Sequence, residues 1–290
     1  IANYPFCTID PNVGVAFVEA RLPCPCGELR EKLVSEGRLD ASSENDERKG
    51  SLCQPRTGSC VSHRRFVPVS LVDVAGLVPG ASEGRGRGNA FLADLANCDV
   101  LIQVVDAAGS TDLEGQFNGA ATSTEAAVES VRAEIEFLEH ELDAWIGGLL
   151  EDGWNRGVRR VQAEGEKGLT SFVTERLSGL GATTSRVGQG MLAFNQRHQT
   201  EQQPWDWPPS SLHLLGQCMR EQLFPIVYAA NKMDIAPPGV LEAFPDRTMV
   251  ACMSDMELAL RRAATAGLVH YQSGDSTFDV NGTAELNDAH

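Results

Sequence analysis

Three short β-rich runs, Phe66 to Val72, Val100 to Val105 and Pro225 to Ala230, constrain this chain more than any other feature. Each is long enough for one buried strand and too short for an ordinary buried helix. Val13 to Leu22 reads as an earlier strand ended by Pro23, and Thr248 to Cys252 as a later one. Helical stretches alternate with them: Asn89 to Ala96 follows a glycine-rich loop, Ser210 or Ser211 caps a helix running to about Leu223, and Glu257 to Ala266 reads as another. Strands alternating with helices point to an α/β fold with a mostly parallel sheet. The 290 residues allow one large domain or two small ones.

Two stretches interrupt the alternation. Pro23 to His63 is polar, charged and cysteine-containing, and its run Ser42 to Lys49 reads as solvated. Further on, Val128, Val131, Ile135, Leu138, Leu142 and Trp145 are spaced 3, 4, 3, 4, 3. That seam predicts a coiled-coil-like helical hairpin with its second arm in Trp154 to Leu177, or else an amphipathic helix lying on the sheet. Gly179 to Pro204 is polar and poorly periodic. The expected organisation is a first domain part over 1–122 carrying the 23–63 insertion, a helical insertion over 123–208, and a second domain part over 209–290.

The strand ends carry the chemistry. Asn231, Lys232, Met233 and Asp234 close the run Pro225 to Ala230 as an NKxD tetrad. At such a strand end, one carboxylate can accept hydrogen bonds from both the ring N–H and the exocyclic amine of guanine, a pattern adenine does not offer. A site built around that acceptor rejects the wrong base by leaving the carboxylate unpaired. Phe66 to Val72 ends in Asp73-Val74-Ala75-Gly76, a DxxG, and a glycine-dense loop follows to Asn89. In phosphate-binding loops a glycine lets the backbone approach the phosphate closely. The series Gly84, Gly86, Gly88 does not fit a dinucleotide fingerprint, because it lies too far from the preceding strand and lacks a suitably placed acidic residue.

Asp73 to Asn89 (DVAGLVPGASEGRGRGN) resembles the extended switch II of the Obg-like GTPases, and Asn3 to Gly14 (NYPFCTIDPNVG) resembles their switch I. Cys24 to Cys26 (CPC), Cys53 to Cys60 and Leu223 to Asp234 are similar to the archaeal type of the YchF subfamily, whose eukaryotic members are called Obg-like ATPases. The resemblance implies a P-loop GTPase-type fold with a helical insertion. It also implies a GTP-hydrolysing switch, Mg²⁺-dependent, cytoplasmic and associated with the ribosome, with an ATP-preferring enzyme as the alternative. By position, Thr8 matches the switch I residue that ligates Mg²⁺ and meets the γ-phosphate, with Cys7 in place of a second threonine. Asp73 matches the second Mg²⁺ contact and Gly76 the γ-phosphate contact. Asn231 and Asp234 match the base readers, Lys232 the residue whose stem packs along the purine, and Met253 with Ser254 the segment that offers a backbone N–H to the base.

Leu77 stands where Ras-like enzymes place a water-orienting glutamine. Leucine cannot hydrogen-bond a nucleophile, so turnover is expected to be slow and to depend on backbone groups, another side chain, a partner or a monovalent cation such as K⁺. No GxxxxGK[ST] phosphate cradle occurs, and the first residue is Ile1. The expectation is a piece of a longer protein that lacks the P-loop and the family's C-terminal TGS domain, and that by itself hydrolyses little or no GTP. A nucleotide-independent interaction module is the alternative from a different class.

Forty acidic against 24 basic residues give a net charge of -16, which disfavours direct binding to DNA through its phosphate backbone. No apolar stretch approaches the roughly 18 residues of a membrane span. Cys24, Cys26, Cys53 and Cys60 read either as a zinc site, with His63 as a spare ligand, or as reduced thiols, since CxC followed by CxxxxxxC is not a zinc-ribbon spacing. Cys98, Cys218 and Cys252 read as small core residues, Trp205 and Trp207 as packing anchors, and the pairs Arg64-Arg65 and Arg261-Arg262 as solvated faces.

Overall fold

Parallel pairing holds the middle of the chain together. In the computed structural model, which describes residues 12–40, 53–61, 63–74, 94–95, 98–113, 115–198 and 202–282, two compact units separate. Among the described residues, the larger contains those from 94 to 262 and the smaller those from 12 to 74 and from 263 to 282.

In the larger unit, strands β4 (Leu101–Asp106), β5 (Ile226–Asn231) and β6 (Met249–Ala251) form a parallel sheet in that order. Asp106 stands opposite Asn231 in the register, so two polar residues reach the carboxyl edge together. Val105, Tyr228 and Ala230 pack beneath that edge with Val240 and Phe244.

One helix, α2 (Thr124–Glu164), covers this sheet and then continues beyond it. Ser123 starts it, its hydroxyl accepting the Ala126 N–H at 3.2 Å, and Gly165 ends it at φ 60°. Its first turns bury Ala127, Val131 and Ile135 in the sheet core. Farther along, Leu142, Ile146 and Leu150 are fully buried where α2 meets helices α3 (Glu166–Arg176) and α5 (Pro209–Leu223). Both readings of the apolar seam are therefore realised in one helix, on successive stretches of it. The second arm of the hairpin is shorter than the sequence predicts, because Trp154 to Glu164 still belong to α2 and only α3 returns. Helix α4 (Thr184–His198) occupies the stretch that reads as aperiodic, burying Val187, Met191 and Phe194. Glycines at 188 and 190 dilute its apolar pattern, so the helical period is weak in the letters.

The crossing of α2 and α5 depends on two glycines. A Cβ on Gly216 would lie 2.8 Å from the Gly147 backbone nitrogen, a backbone collision that no rotamer change relieves. Trp207 is a packing anchor, as expected: its ring stacks on Trp154 at 6.5 Å and meets Phe194 at 5.0 Å. Between α2 and the sheet, the Tyr228 hydroxyl and the Arg247 guanidinium both donate to Glu139, while between α5 and α2 the buried Arg220 donates to Asp143 at 2.7 Å.

In the smaller unit, β1 (Asn12–Glu19) and β2 (Ser59–Val61) both pair antiparallel with β3 (Arg64–Asp73). Helix α1 (Cys26–Ser35) follows β1, and the short pair β7 (Val269–His270) and β8 (Asp279–Val280) completes the unit. Parallel pairing is thus confined to β4, β5 and β6 among the described strands. Arg64 is not a solvated residue but a tie, donating to Glu19 and to Asp275. Cys218 is a core residue, whereas Cys98 and Cys252 are only half-buried, each lying in a connection beside a strand or turn.

Candidate functional site

The carboxyl edge of the parallel sheet gathers the tetrad and its supports. Carboxyl edges of parallel strands are where α/β sheets bind ligands, because the strands deliver side chains there and the connections leave room. Asn231 is the last residue of β5. Lys232 then turns the chain with a left-handed φ of 61°, and the Ile235 N–H closes the turn on the Lys232 carbonyl at 3.2 Å. Such a φ is uncommon outside glycine, and here the Lys232 side chain is fixed at its far end.

That far end is an ion pair with Asp106. Lys232 Nζ donates to Asp106 Oδ2 and to Ser110 Oγ, both at 2.8 Å. The Asp106 carboxylate also accepts the N–H groups of Ala108 and Ser110 and the hydroxyls of Ser110 and Thr111. Burial opposes its ionisation, but Lys232 and the two hydroxyls outweigh burial and hold the carboxyl below its ordinary value. Reading the sequence as a strand ending at Val105 missed this residue. The available signal was an acidic residue directly after a buried apolar run, followed by Gly109 and Ser110 in a tight turn.

Glu134 on α2 lies behind the same edge and accepts the Asp106 N–H, at 3.2 Å to its nearer oxygen. Burial pushes its carboxyl up to about 7, against the smaller pull of the Asp106 N–H bond.

The loop after β6 is locked to the tetrad by backbone bonds. The Cys252 N–H donates to Ala230 at 2.8 Å, and the Met233 N–H donates back to Cys252 at 3.2 Å. Met253 and Ser254 are thereby brought beside Asn231, where the Ser254 N–H donates to Asn231 Oδ1 at 3.0 Å. Ser254 also opens helix α6 (Ser254–Thr265). Its N–H orients the asparagine, and the neighbouring Met253 is exposed.

Asp234 is different from all of these. Its carboxylate is exposed, and among the described residues no hydrogen bond or ion pair engages it. The tetrad therefore presents a braced frame, Asn231 and Lys232, and one acceptor that no described residue engages.

Of the other residues singled out in the sequence, Asp73 closes β3 opposite Asn12 in the smaller unit and is exposed. Thr8, Gly76 and Leu77, with Cys7, lie outside the described residues. An aspartate and a threonine offer hard oxygen donors of the kind Mg²⁺ takes, so these residue types suit that ion.

A second constellation sits in the smaller unit. The sulfur atoms of Cys24, Cys26, Cys53 and Cys60 lie within 4.8 Å of one another. Cys24 Sγ is 3.4 Å from Cys53 Sγ, Cys26 Sγ is 3.6 Å from Cys60 Sγ, and His63 Nδ1 is 3.1 Å from Cys26 Sγ.

Two protein families match the chain. One, described as Obg-like GTPase YGR210-like, G4 motif-containing domain, covers residues 229–290, and the other, described as 50S ribosome-binding GTPase, covers residues 1–134. A GTP-binding protein of Methanocaldococcus jannaschii is 34% identical over 293 residues, which are 99% of this chain and 64% of that protein. The Ribosome-binding ATPase YchF of Pasteurella multocida is 34% identical over 146 residues, 49% of this chain and 32% of the relative. A GTP-binding protein from Pyrococcus horikoshii shares the fold, with a TM-score of 0.62 and 29% identity over 90% of this chain and 63% of that one. The chain spans less than two thirds of each of these proteins.

Proposed function

The chain belongs to the Obg-like GTPase family, and on that premise we propose that it is the base-reading and switch portion of a Mg²⁺-dependent GTP-binding and GTP-hydrolysing protein that works at the ribosome. The observation that carries the reading is the Asp234 carboxylate, exposed and without a partner among the described residues, on a tetrad otherwise fully braced. Guanine offers that carboxylate two N–H donors, and adenine would leave it desolvated and unpaired.

Each neighbour of Asp234 has a part in this. Asn231, oriented by the Ser254 N–H, keeps its amide at the edge of the base. Lys232, pinned by Asp106 and Ser110, spans the edge with its stem free to lie along a purine face. The exposed Met253 offers its backbone N–H to the base oxygen.

Mg²⁺ held by Thr8 and Asp73 would supply charge neutralisation at the β- and γ-phosphates. Gly76 brings its N–H to the γ-phosphate, and Leu77 leaves the attacking water to be oriented by backbone groups, a partner or K⁺. Without a GxxxxGK[ST] cradle in these 290 residues, hydrolysis by them alone is expected to be little or none. Ribosome association is supported by the 50S ribosome-binding family match and by the name of the Pasteurella multocida relative. That relative is named an ATPase, which makes ATP the competing ligand, although the tetrad favours GTP.

The deciding experiment is equilibrium binding of a fluorescent GTP analogue to the full-length protein, with unlabelled GTP and ATP as competitors. GTP is expected to displace the probe at concentrations at least about 100-fold below those at which ATP does. Stronger competition by ATP would establish the ATP reading, equal competition would remove base selection at Asp234, and no binding would leave the chain a nucleotide-independent interaction module. Co-sedimentation with large ribosomal subunits tests the partner.

A further inference from the structure

The smaller unit brings four sulfur atoms from three separate segments to one point. Cys24 and Cys26 flank the start of α1, Cys53 lies in the approach to β2, and Cys60 is in the middle of β2. We propose that Cys24, Cys26, Cys53 and Cys60 form a structural zinc site that fastens the insertion after β1. The proposal does not depend on the nucleotide reading.

Geometry carries it. Four thiolates around zinc at about 2.3 Å stand about 3.8 Å apart at the corners of a tetrahedron. Two of the pairs here are 3.4 and 3.6 Å apart, and no two of the four sulfurs are farther apart than 4.8 Å. Enclosing the ion therefore changes no sulfur–sulfur separation by more than about 1 Å. Soft sulfur donors in fourfold arrangement select zinc over magnesium or calcium, which take oxygen.

The surroundings fit a charged metal–thiolate centre. Cys26 is the first residue of α1, so the N-terminal end of the helix dipole lies against the sulfurs and favours negative charge there. His63 Nδ1 stands 3.1 Å from Cys26 Sγ and can donate to that thiolate. This position is costly for the chain to hold, since His63 has a left-handed φ of 67° and its carbonyl accepts the Cys24 N–H at 2.9 Å. One turn thus grips both ends of the cluster, through its backbone to Cys24 and through its ring to Cys26.

A metal also answers a problem of this unit. Among the described residues it buries few large apolar side chains, Cys26 and Phe66 being the buried hydrophobic ones, while Val13, Val15 and Phe17 of β1 are exposed. Small units with thin cores commonly rely on a metal for folding free energy.

The test is metal analysis of the intact chain purified under reductant without chelator. One zinc per chain is expected, with a sulfur-only absorption-edge spectrum at a distance of about 2.3 Å. A mercurial reagent should release it stoichiometrically to a zinc indicator. Replacing Cys24 and Cys53 by serine should abolish the zinc, whereas Cys98→Ser should retain it. If the double variant fails to fold, metal content and edge spectrum of the unmodified chain still decide. Metal-free protein that is folded with freely reactive thiols, a Cys24–Cys53 disulfide found by mass spectrometry, or iron in place of zinc would each overturn the proposal.

Discussion

Asp234 is the residue whose chemistry can be inverted most cleanly. Asp234→Asn replaces an acceptor by an amide that can donate, which suits the C2 carbonyl of xanthine and not the amine of guanine. GTP affinity should fall about 100-fold, from the loss of two charge-assisted bonds worth about 1.5 kcal/mol each, and affinity for xanthosine triphosphate should rise. Competition binding with both nucleotides checks this, and an unchanged preference would remove Asp234 from the base site. A second residue, Glu134, is predicted to act through pH. Its folded carboxyl is raised from the ordinary 4.5 to about 7, so the folded state holds its proton more tightly than the unfolded state. Its contribution to stability is therefore complete below 4.5 and is lost as pH rises toward 7. Glu134→Gln should flatten stability over that interval and add about 2–3 kcal/mol above pH 7. Urea denaturation at several pH values would show it, and an unchanged slope would place the titration elsewhere. Neither Glu134 nor Asp106 stands out in the sequence as a site residue, because each matters through a partner far along the chain.

At the scale of elements, the two glycines where α2 crosses α5 have opposite tolerance to an exposed helical glycine. Gly216→Ala should cost about 1–3 kcal/mol, since its Cβ meets the backbone of Gly147. Gly188→Ala on α4 has open space and should gain about 0.5–1 kcal/mol from helix propensity. Denaturant midpoints of the two variants should move in opposite directions. A shared direction would mean that the crossing is looser than the backbone approach implies. Elements were legible where one face decided them. The apolar runs that became β3, β4 and β5 are read within two residues of their observed ends, whereas the serine cap read at Ser210 or Ser211 is not made: that helix opens on Pro208 and Pro209 with no side-chain cap bond. Helix α4 was not legible, because four residues of packing, Val187, Gly190, Met191 and Phe194, define its buried face and two of its interior positions are glycines. The full length of α2 was also hidden, since its buried side changes from sheet to helices partway along.

For the whole molecule, binding and stability are linked. A nucleotide that binds only the folded protein, present at 100 times its dissociation constant, adds about 2.7 kcal/mol to stability. GTP should therefore raise the thermal midpoint of the full-length protein measurably, and ATP at the same concentration should raise it much less. Equal shifts would disprove base selection at Asp234. No helix of the described residues is long and apolar enough to cross a membrane, despite the length of α2, because charged residues recur along it. Sequence alone settled the α/β class, the placement of NKxD at a strand end and the resemblance of the glycine-rich loop, since these rest on neighbours within a few residues. It left open whether four cysteines meet and what holds Lys232. Tertiary structure decided both, because the sulfurs come from segments separated by long stretches of chain, and because Asp106 and Lys232 join only when β4 and β5 pair in register.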